Sequence, residues 1–343
     1  MKLHMELGER GYDIFVESGI LVRAGELLRL NRRVLIVTDT GVPAEYARTV
    51  AAQCAAPVVV TLPMGEGSKS LANFERLLSR LLADGFTRTD CVAAVGGGVV
   101  GDLSGFAAAC FMRGIDFYNI PTPLLSQVES SIGGKTAIDR AGVKNCVGAF
   151  WQPKGVLIDP ATLSTLPPRQ LANGMAEAVK MSLTSDAGLF GLFEAGGEAD
   201  REAVILRSLE IKKRVVEADE REGGLRRVLN FGHTLGHGIE SAAGLHGLLH
   251  GECVALGMLP MCAPEVRARL LPVLTRLGLP ITLPADPERV LAAVCHDKKC
   301  DGQQVAYVYV PRVGEFEIRH ATVAEFCGAV RPALEEMRKG AGR

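Results

Sequence analysis

The sequence has few aromatic residues and no excess of either charge. Phe, Trp and Tyr make up 5% of its 343 residues, so surfaces that stack nucleic-acid bases are not expected. Lys and Arg number 38 against 39 Asp and Glu, so no overall field favours nucleic acid. Any attraction for an anionic ligand must therefore come from local clusters of cations.

Export, disulfide and membrane signals are also missing. The nine cysteines form no C-x-x-C pair, and their odd number argues against a disulfide framework. The first residues contain no apolar signal-peptide core. The apolar stretch 91–112 is interrupted by Asp102 and five glycines, which is unfavourable for a membrane span. We therefore expect a cytoplasmic protein with free thiols that binds neither nucleic acid nor membrane.

Strand and helix patterns alternate in the first half of the chain. Strand patterns occur at 33–39, which is typical of a buried strand, and at 57–62, 91–95 and 117–121, and helical patterns occur at 44–55 and 71–83. This alternation predicts a parallel sheet covered by helices, with ligands at the carboxyl ends of the strands.

After residues 156–160 long helical patterns dominate. They cover 168–183, 202–220, 225–243, 251–261, 265–277, 287–294 and 323–339, and a strand pair at 305–310 and 315–319 interrupts them. The length favours two domains. We therefore predict an α/β domain over 1–155 and a mainly α-helical domain over 156–343.

Three of the seven histidines lie close together in sequence. His233 and His237 would share one face of a helix, and His250 could return to that face after a loop. Three such ligands with one open position suit a catalytic zinc. Arg226 and Asn230 precede them at helical spacing, which would provide for an anionic, hydroxylated substrate. Helix-surface histidines remain the alternative, because short motifs often match by chance.

Polar and glycine-rich segments follow three of the predicted strands. Residues 96–102, Gly-Gly-Gly-Val-Val-Gly-Asp, end one strand and open a helix, where a pyrophosphate could approach the backbone. Asp39 follows another strand and suits ribose hydroxyls, and Glu66 and Lys69 follow a third. Residues 96–102 do not match the G-x-G-x-x-G fingerprint, and tight packing of the helix against the strand would also explain their glycines. Together the three strand ends favour bound NAD.

Further cations and amides are scattered between these segments. Lys135 follows two glycines, Lys144 and Asn145 are adjacent, and Glu177 and Lys180 would share a helix face. Taken alone, the Glu177–Lys180 pair and the neighbours Lys212 and Lys213 are typical of a solvated helix surface.

Six ordered motifs make the chain resemble the 3-dehydroquinate synthase family. They are GGGVVGD, QVESSIGGKTAID, GVKNCVGAFWQP, NGMAEAVK, VVEADEREGGLRRVLNFGHTLGH and LHGE, and the resemblance covers nearly the whole chain. It implies a Rossmann-like NAD-binding N-terminal domain, an α-helical metal- and substrate-binding C-terminal domain, bound NAD, a catalytic Zn²⁺ (or Co²⁺) and a homodimer.

The resemblance also implies roles for individual residues. Glu177, His233 and His250 would bind the metal, so that His237 contacts the substrate phosphate instead. The residues implied to contact NAD are Asp39, Glu66, Lys69, Gly97, Gly98, Val99, Asp102, Thr122, Lys135, Lys144, Thr162, Leu163, Ser164 and Thr165. Those implied to hold the phosphate are Arg113, Lys135, Asn145, Lys180 and either Lys298 or Lys299, with Arg113 reaching across the dimer. Those implied to hold the substrate carboxylate are Lys212, Arg226 and Asn230.

Two positions depart from the family pattern. Glu129 replaces the Asp that lines the substrate pocket, and Pro123 replaces a Thr on the NAD side.

The implied reaction converts 3-deoxy-D-arabino-heptulosonate 7-phosphate, a sugar phosphate, to 3-dehydroquinate and phosphate. It proceeds by transient oxidation, phosphate elimination, re-reduction and ring closure. The alternatives are another sugar phosphate cyclase and a metal-dependent polyol dehydrogenase of the same fold.

Overall fold

The computed structural model describes residues 1–243, 247–296, 300–301 and 304–340. The chain forms two compact units, Met1–Pro167 and Pro168–Arg343. The division lies beyond the predicted boundary after residue 155. The reason is that Gly155–Ile158 forms a strand of the first unit's sheet.

The first unit is an α/β structure with one large sheet. Its strands are β1 (Lys2–Met5), β2 (Tyr12–Val16), β3 (Arg33–Asp39), β4 (Ala56–Leu62), β5 (Cys91–Gly96), β6 (Asp116–Pro121), β7 (Lys135–Arg140), β8 (Val143–Phe150) and β9 (Gly155–Ile158). Its α-helices are α1 (Ala24–Leu27), α2 (Ala44–Ala51), α3 (Leu71–Ala83) and α4 (Gly98–Cys110). The large sheet has the order β1-β2-β9-β6-β5-β3-β4, and β7 and β8 form a separate antiparallel hairpin.

All neighbours in the large sheet are parallel except β1 and β2. Successive residues of β3 enter two different hydrophobic clusters: Leu35 and Val37 enter one, and Val34 and Ile36 the other. Since successive side chains of a strand point to opposite faces, both faces of the sheet are covered. The predicted helix-covered parallel sheet is confirmed.

The second unit is mainly helical, also as predicted. Its helices are α5 (Pro168–Ser185), α6 (Ala187–Glu194), α7 (Arg201–Ala218), α8 (His233–Ala243), α9 (His250–Met258), α10 (Pro264–Arg276), α11 (Pro287–His296) and α12 (Val323–Lys339). A small antiparallel sheet contains β10 (Cys300–Asp301), β11 (Gln304–Tyr309) and β12 (Glu317–Thr322). No helix in the described part of the chain is long and apolar enough to cross a bilayer.

The prediction of one helix over 225–243 is wrong. The chain forms a 3₁₀ helix, Leu225–Asn230, and then α8, with a turn at Phe231 and Gly232 (φ 77°) between them. A Cβ on Gly232 would lie 2.8 Å from the carbonyl oxygen of Val254 in α9, so α9 approaches the break too closely for any side chain. Arg226 and Asn230 are therefore not on the helix that carries His233.

Two further features were not predicted from the sequence. The strands β1 and β2 lie at one edge of the large sheet, and the hairpin β7–β8 carries the segment around Lys135 and Lys144. β8 is largely exposed, and its sequence lacks the continuous apolar run that identified the other strands.

Candidate active site

The second unit buries a charged pair on α5. Glu177 and Lys180 are each 1% exposed, and Nζ of Lys180 lies 2.5 Å from Oε2 of Glu177. Lys180 also donates a hydrogen bond to the carbonyl oxygen of Leu229, at 2.7 Å. α5 is buried along most of its length, from Ala172 to Thr184, so the pair is not the solvated surface pair that spacing alone suggested.

Two histidines from different helices converge on the Glu177 carboxylate. Nε2 of His250 lies 3.4 Å from Oε1 of Glu177, and Nε2 of His233 lies 3.7 Å from the same atom. One potential ligand atom from each of the three residues lies within 4.8 Å of the others. His233 is the first residue of α8 and His250 the first of α9, so two helix N-termini carry the two imidazoles.

The chemistry of this group fits a divalent transition metal. Both carboxylate oxygens of Glu177 are buried, and neither accepts a hydrogen bond of normal geometry from a described residue. Nδ1 of His233 lies 3.1 Å from the carbonyl oxygen of Phe231, an arrangement that fixes the ring and presents Nε2. One carboxylate and two imidazoles are a known ligand set of catalytic zinc.

The charges around Glu177 favour its ionised form. Burial opposes ionisation, but Lys180, His250 and His233 outweigh it and hold the pKa of Glu177 well below its ordinary value. Burial likewise disfavours a charged imidazole at His250, yet the contact with Glu177 outweighs it and raises the pKa of His250. The carboxylate is therefore ready to bind a cation.

His237 lies beside this group without belonging to it. Its ring centroid is 5.6 Å from that of His233 and 6.4 Å from that of His250. The ligand set that the pattern H-x-x-x-H indicated, with His237 as a member, is not the one that the described residues form; Glu177 takes that place.

The loop before α8 is organised around one carboxylate. Asp219 accepts hydrogen bonds from the backbone amides of Gly223, Gly224 and Arg226, at 2.7 to 3.0 Å. These bonds lower the pKa of Asp219. Arg226 is 2% exposed and donates to the carbonyl oxygen of Glu220, and Asn230 donates to Glu222 at 2.7 Å.

Lys212 is buried on α7. It is 3% exposed and lies on the face that also buries Ser208 and Val216, each four residues away. Its neighbour Lys213 is partly exposed and pairs with Glu217 at 2.9 Å. The two lysines, which the sequence could not distinguish, thus differ by the face of the helix.

The first unit has a topological switch point between β3 and β5. The chain moves from β3 to β4 on one side and then returns to place β5 on the other side. In such sheets ligands bind in the crevice outside the carboxyl ends at this point. Asp39 ends β3, and Gly97 lies between β5 and the N-terminus of α4. The predicted dinucleotide segments therefore meet where the topology opens the sheet.

Gly97 leaves room for a ligand at this junction. Its φ is −85°, which any residue adopts, and a Cβ there would meet only Cγ of Pro123, at 3.5 Å. The fold itself does not require glycine at this position. A backbone open at the N-terminus of α4, a helix of 13 residues, suits a pyrophosphate.

A buried cation and three carboxylates lie near the same edge. Nζ of Lys69 is 2.6 Å from Asp102 and 3.8 Å from Glu66, and Lys69 is 5% exposed. Burial raises the pKa of Asp102 to about 6, although the Lys69 ammonium acts in the opposite direction. Burial also raises the pKa of Asp39, whose Oδ1 accepts a hydrogen bond from the amide of Gly41. Burial thus disfavours the charged forms of Asp39 and Asp102, and a cation or a hydroxyl donor beside either carboxylate would offset this cost.

Gln127 joins the two loops that follow β6 and β9. Its Nε2 lies 3.0 Å from Oγ1 of Thr162 and 3.1 Å from the carbonyl oxygen of Asp159. Oγ1 of Thr162 lies 3.0 Å from the carbonyl oxygen of Thr122, so both threonines are held in one network. Leu163 is buried, whereas Ser164 and Thr165 are exposed and Val99 and Gly98 are half-buried.

The other predicted residues of the first unit lie on more open positions. Arg113, Lys135, Lys144 and Asn145 are exposed, and Arg113 and Asn145 have positive φ values of 67° and 53°. Glu129 is half-buried in a single π-helical turn, Ser126–Ser130. Lys298 and Lys299 lie outside the described residues.

Sequence reasoning missed the residues that support His250. Arg169 and Asn173 on α5 and Glu252 on α9 contact the backbone around His250. Asn173 and Glu252 lie within the motifs NGMAEAVK and LHGE, so membership of these motifs was the available signal.

Known proteins of one family match this chain over nearly its whole length. The N-terminal family model of 3-dehydroquinate synthase matches residues 59–173, and the C-terminal model of this family matches residues 174–300. The 3-dehydroquinate synthase of Rhodospirillum rubrum is 43% identical, over 97% of this chain and 94% of that protein. That of Geobacter sp. (strain M21) is 41% identical, over 95% and 98%.

A solved structure shares the fold as well. The 2-epi-5-epi-valiolone synthase of Streptomyces hygroscopicus, determined with NAD⁺ and Zn²⁺ bound, is 29% identical with a TM-score of 0.85. The match covers 95% of this chain and 97% of that one. The two family models and the curated relatives lead to one conclusion: the chain belongs to the 3-dehydroquinate synthase family.

Proposed function

We propose that this protein is a 3-dehydroquinate synthase, a phosphate-eliminating lyase of the shikimate pathway. It converts 3-deoxy-D-arabino-heptulosonate 7-phosphate to 3-dehydroquinate and inorganic phosphate, without net consumption of NAD. The observation that carries the proposal is the convergence of His233 and His250 on the buried Glu177 carboxylate, with the buried Lys180 against it.

Two cofactors belong to this function. Glu177, His233 and His250 would hold Zn²⁺ or Co²⁺, and the segments around Asp39 and Gly97 would hold NAD. When bound, the metal supplies a Lewis acid for the substrate hydroxyls and the nicotinamide a reversible hydride acceptor.

Three buried cations of the second unit suit the two anionic groups of the substrate. Lys180, Lys212 and Arg226 are between 1% and 3% exposed. Their positive charges complement those of a phosphate and a carboxylate, which Lys and Arg side chains bind through charge-assisted hydrogen bonds. Lys180 would hold the phosphate, Lys212 and Arg226 the carboxylate, and His237 would orient the phosphate for departure.

The first unit would place the cofactor and add contacts to the substrate. Asp39 would accept hydrogen bonds from ribose hydroxyls, and the N-terminus of α4 would receive the pyrophosphate. Lys135, Asn145 and Glu129 would line the substrate side. We further propose a cytoplasmic homodimer in which Arg113 reaches the active site of the partner subunit.

One experiment separates this function from its alternatives. The full-length protein is incubated with the heptulosonate phosphate, NAD and Zn²⁺, and released phosphate and NADH are measured together. We expect phosphate release over many turnovers with no accumulation of NADH. Stoichiometric NADH would indicate a polyol dehydrogenase. Inactivity on this substrate, with cyclisation of a sugar phosphate that lacks the carboxylate, would indicate another cyclase.

A further inference from the structure

One face of α5 carries more than the Glu177 carboxylate. Arg169, Asn173 and Glu177 follow one another at intervals of four residues, so they lie on the same side of the helix. Glu177 contacts the His250 imidazole, whereas the other two contact the backbone around it.

The amide before His250 is held through an ion pair. The Leu249 N–H donates to Oε2 of Glu252, at 2.8 Å, and Glu252 is buried. Arg169 grips the same carboxylate with two hydrogen bonds, from Nε at 2.6 Å and from Nη2 at 2.7 Å. Nη2 also donates to the carbonyl oxygen of Gly247. A bidentate Arg–carboxylate pair has a defined orientation, so it fixes the position of Leu249 relative to α5.

The amide after His250 is held directly. The Gly251 N–H donates to Oδ1 of Asn173 at 2.6 Å, in a buried position. A Cβ on Gly251 would lie 2.0 Å from the backbone oxygen of Asn173, so α9 approaches α5 too closely for any side chain at this position. His250 therefore stands between two amides that are both anchored to the helix that carries Glu177.

We propose that Arg169, Asn173 and Glu252 are positioning residues for the metal site: they hold His250 at the distance from Glu177 at which both bind one cation. Groups that orient a ligand in this way affect metal affinity without touching the metal. The inference rests on the proposed metal site. It goes beyond that site, because the family resemblance implies no ligand or substrate role for any of the three residues.

Metal affinity of the full-length apoprotein tests the inference. Zn²⁺ is titrated against a chelating competitor for the wild type, Arg169→Ala and Asn173→Leu. We expect a loss of about ten- to a hundredfold in affinity for each variant. Arg169 is 57% exposed, so its truncation leaves no cavity in the core. Asn173→Asp retains an acceptor for the Gly251 N–H and should recover most of the affinity that Asn173→Leu loses.

A second bidentate pair in the same unit provides the matched control. Arg269 donates to both carboxylate oxygens of Glu194, at 2.7 and 2.8 Å, with Arg269 49% exposed. Arg269→Ala should remove a similar ion pair and leave Zn²⁺ affinity unchanged. The visible spectrum of the Co²⁺-loaded protein should change in Arg169→Ala and stay as in the wild type in Arg269→Ala, because it reports ligand geometry and not stability.

The possible outcomes distinguish the inference from the metal site on which it rests. If His250→Ala binds Zn²⁺ as tightly as the wild type, the proposed site itself is wrong. If His250→Ala loses the metal while Arg169→Ala and Asn173→Leu keep wild-type affinity and Co²⁺ spectra, the ligands stand and the positioning role is overturned.

Discussion

Burial changes the role of the Glu177–Lys180 pair. An exposed ion pair at this spacing contributes at most about 1 kcal/mol, whereas removing one partner of a buried pair leaves a charge without compensation. Both side chains are 1% exposed, so protein atoms and not water surround them, and the Glu177 carboxylate faces two imidazoles. At the scale of single residues, the burial of Glu177 and Lys180 therefore distinguishes this site from an ordinary surface ion pair.

The two histidines next to His233 should respond differently to substitution. His250→Ala removes a predicted ligand, so we expect it to lower bound zinc and abolish activity. His237→Ala should retain the zinc and weaken substrate binding, because its ring lies beside the ligand group. Metal analysis of the purified variants together with KM measures both effects. Equal zinc loss in the two variants would support the ligand set with His237.

The negative charge of Glu129 should matter more than the length of its side chain. It keeps the charge of the family's Asp with one more methylene, and its charge acts on Asp102, whose pKa it helps to raise. We expect Glu129→Asp to change kcat/KM by less than about tenfold, under ~1.4 kcal/mol. Glu129→Gln should lose far more, because the charge disappears. Steady-state kinetics on the heptulosonate phosphate measure kcat/KM for both variants. Equal effects of the two substitutions would show that the charge is unimportant.

At the scale of elements, the junction between β5 and α4 should bind the cofactor. Gly97→Ala fits the backbone at φ −85° with only Pro123 nearby, so the melting temperature should stay close to that of the wild type. The added methyl would project where the pyrophosphate is proposed to lie. We expect a weaker NAD affinity, measured by calorimetry on the Zn²⁺-loaded protein. Unchanged affinity would place the dinucleotide elsewhere.

The break before α8 should be sensitive to any side chain. Gly232→Ala combines a φ of 77° with a Cβ 2.8 Å from the Val254 carbonyl oxygen. Strain and overpacking of this kind cost about 1–3 kcal/mol each, so the free energy of unfolding should fall by at least that amount.

Gly191→Ala is the control for this substitution. Gly191 lies inside α6, where a Cβ would meet no described atom within 4 Å. Alanine should stabilise that helix by roughly 0.5–1 kcal/mol. Urea denaturation of both variants measures the difference; equal effects would mean that the break tolerates a side chain.

At the scale of the whole molecule, subunit complementation tests the proposed dimer. If Arg113 serves the partner's active site while Lys212 serves its own, Arg113→Ala and Lys212→Ala should each be inactive. Mixing the two after dissociation and reassociation should restore activity to about a quarter of the wild type, since half of the dimers are mixed and each has one intact site. No recovery would place both residues in the same chain's site.

The strands and helices could be predicted from the sequence because each depends on the local periodicity of its apolar residues. The apolar runs of β3, β4, β5 and β6 and the amphipathic α3 were located to within one or two residues, since a strand or helix must repeat its apolar positions in register with its geometry. The hairpin β7–β8 was missed because its outer strand is exposed and has no such repeat.

The site was accessible to the sequence only as a set of motifs. His233 and His237 follow helical spacing, and spacing alone favoured them as ligands together. The carboxylate that completes the group, Glu177, lies 56 residues before His233, and no local pattern joins the two. Only the resemblance to a family placed it there.

The sequence by itself thus determined the two-part architecture, the strand ends that follow the parallel strands and, through the family motifs, the residues of the metal group. Only the tertiary structure decided that Lys212 is buried and Lys213 is not, that Gly232 interrupts the helix, and that Arg169 and Asn173 anchor the chain around His250. The physical reason is that periodicity is a property of neighbouring residues, whereas burial and anchoring depend on helices brought together from distant parts of the chain.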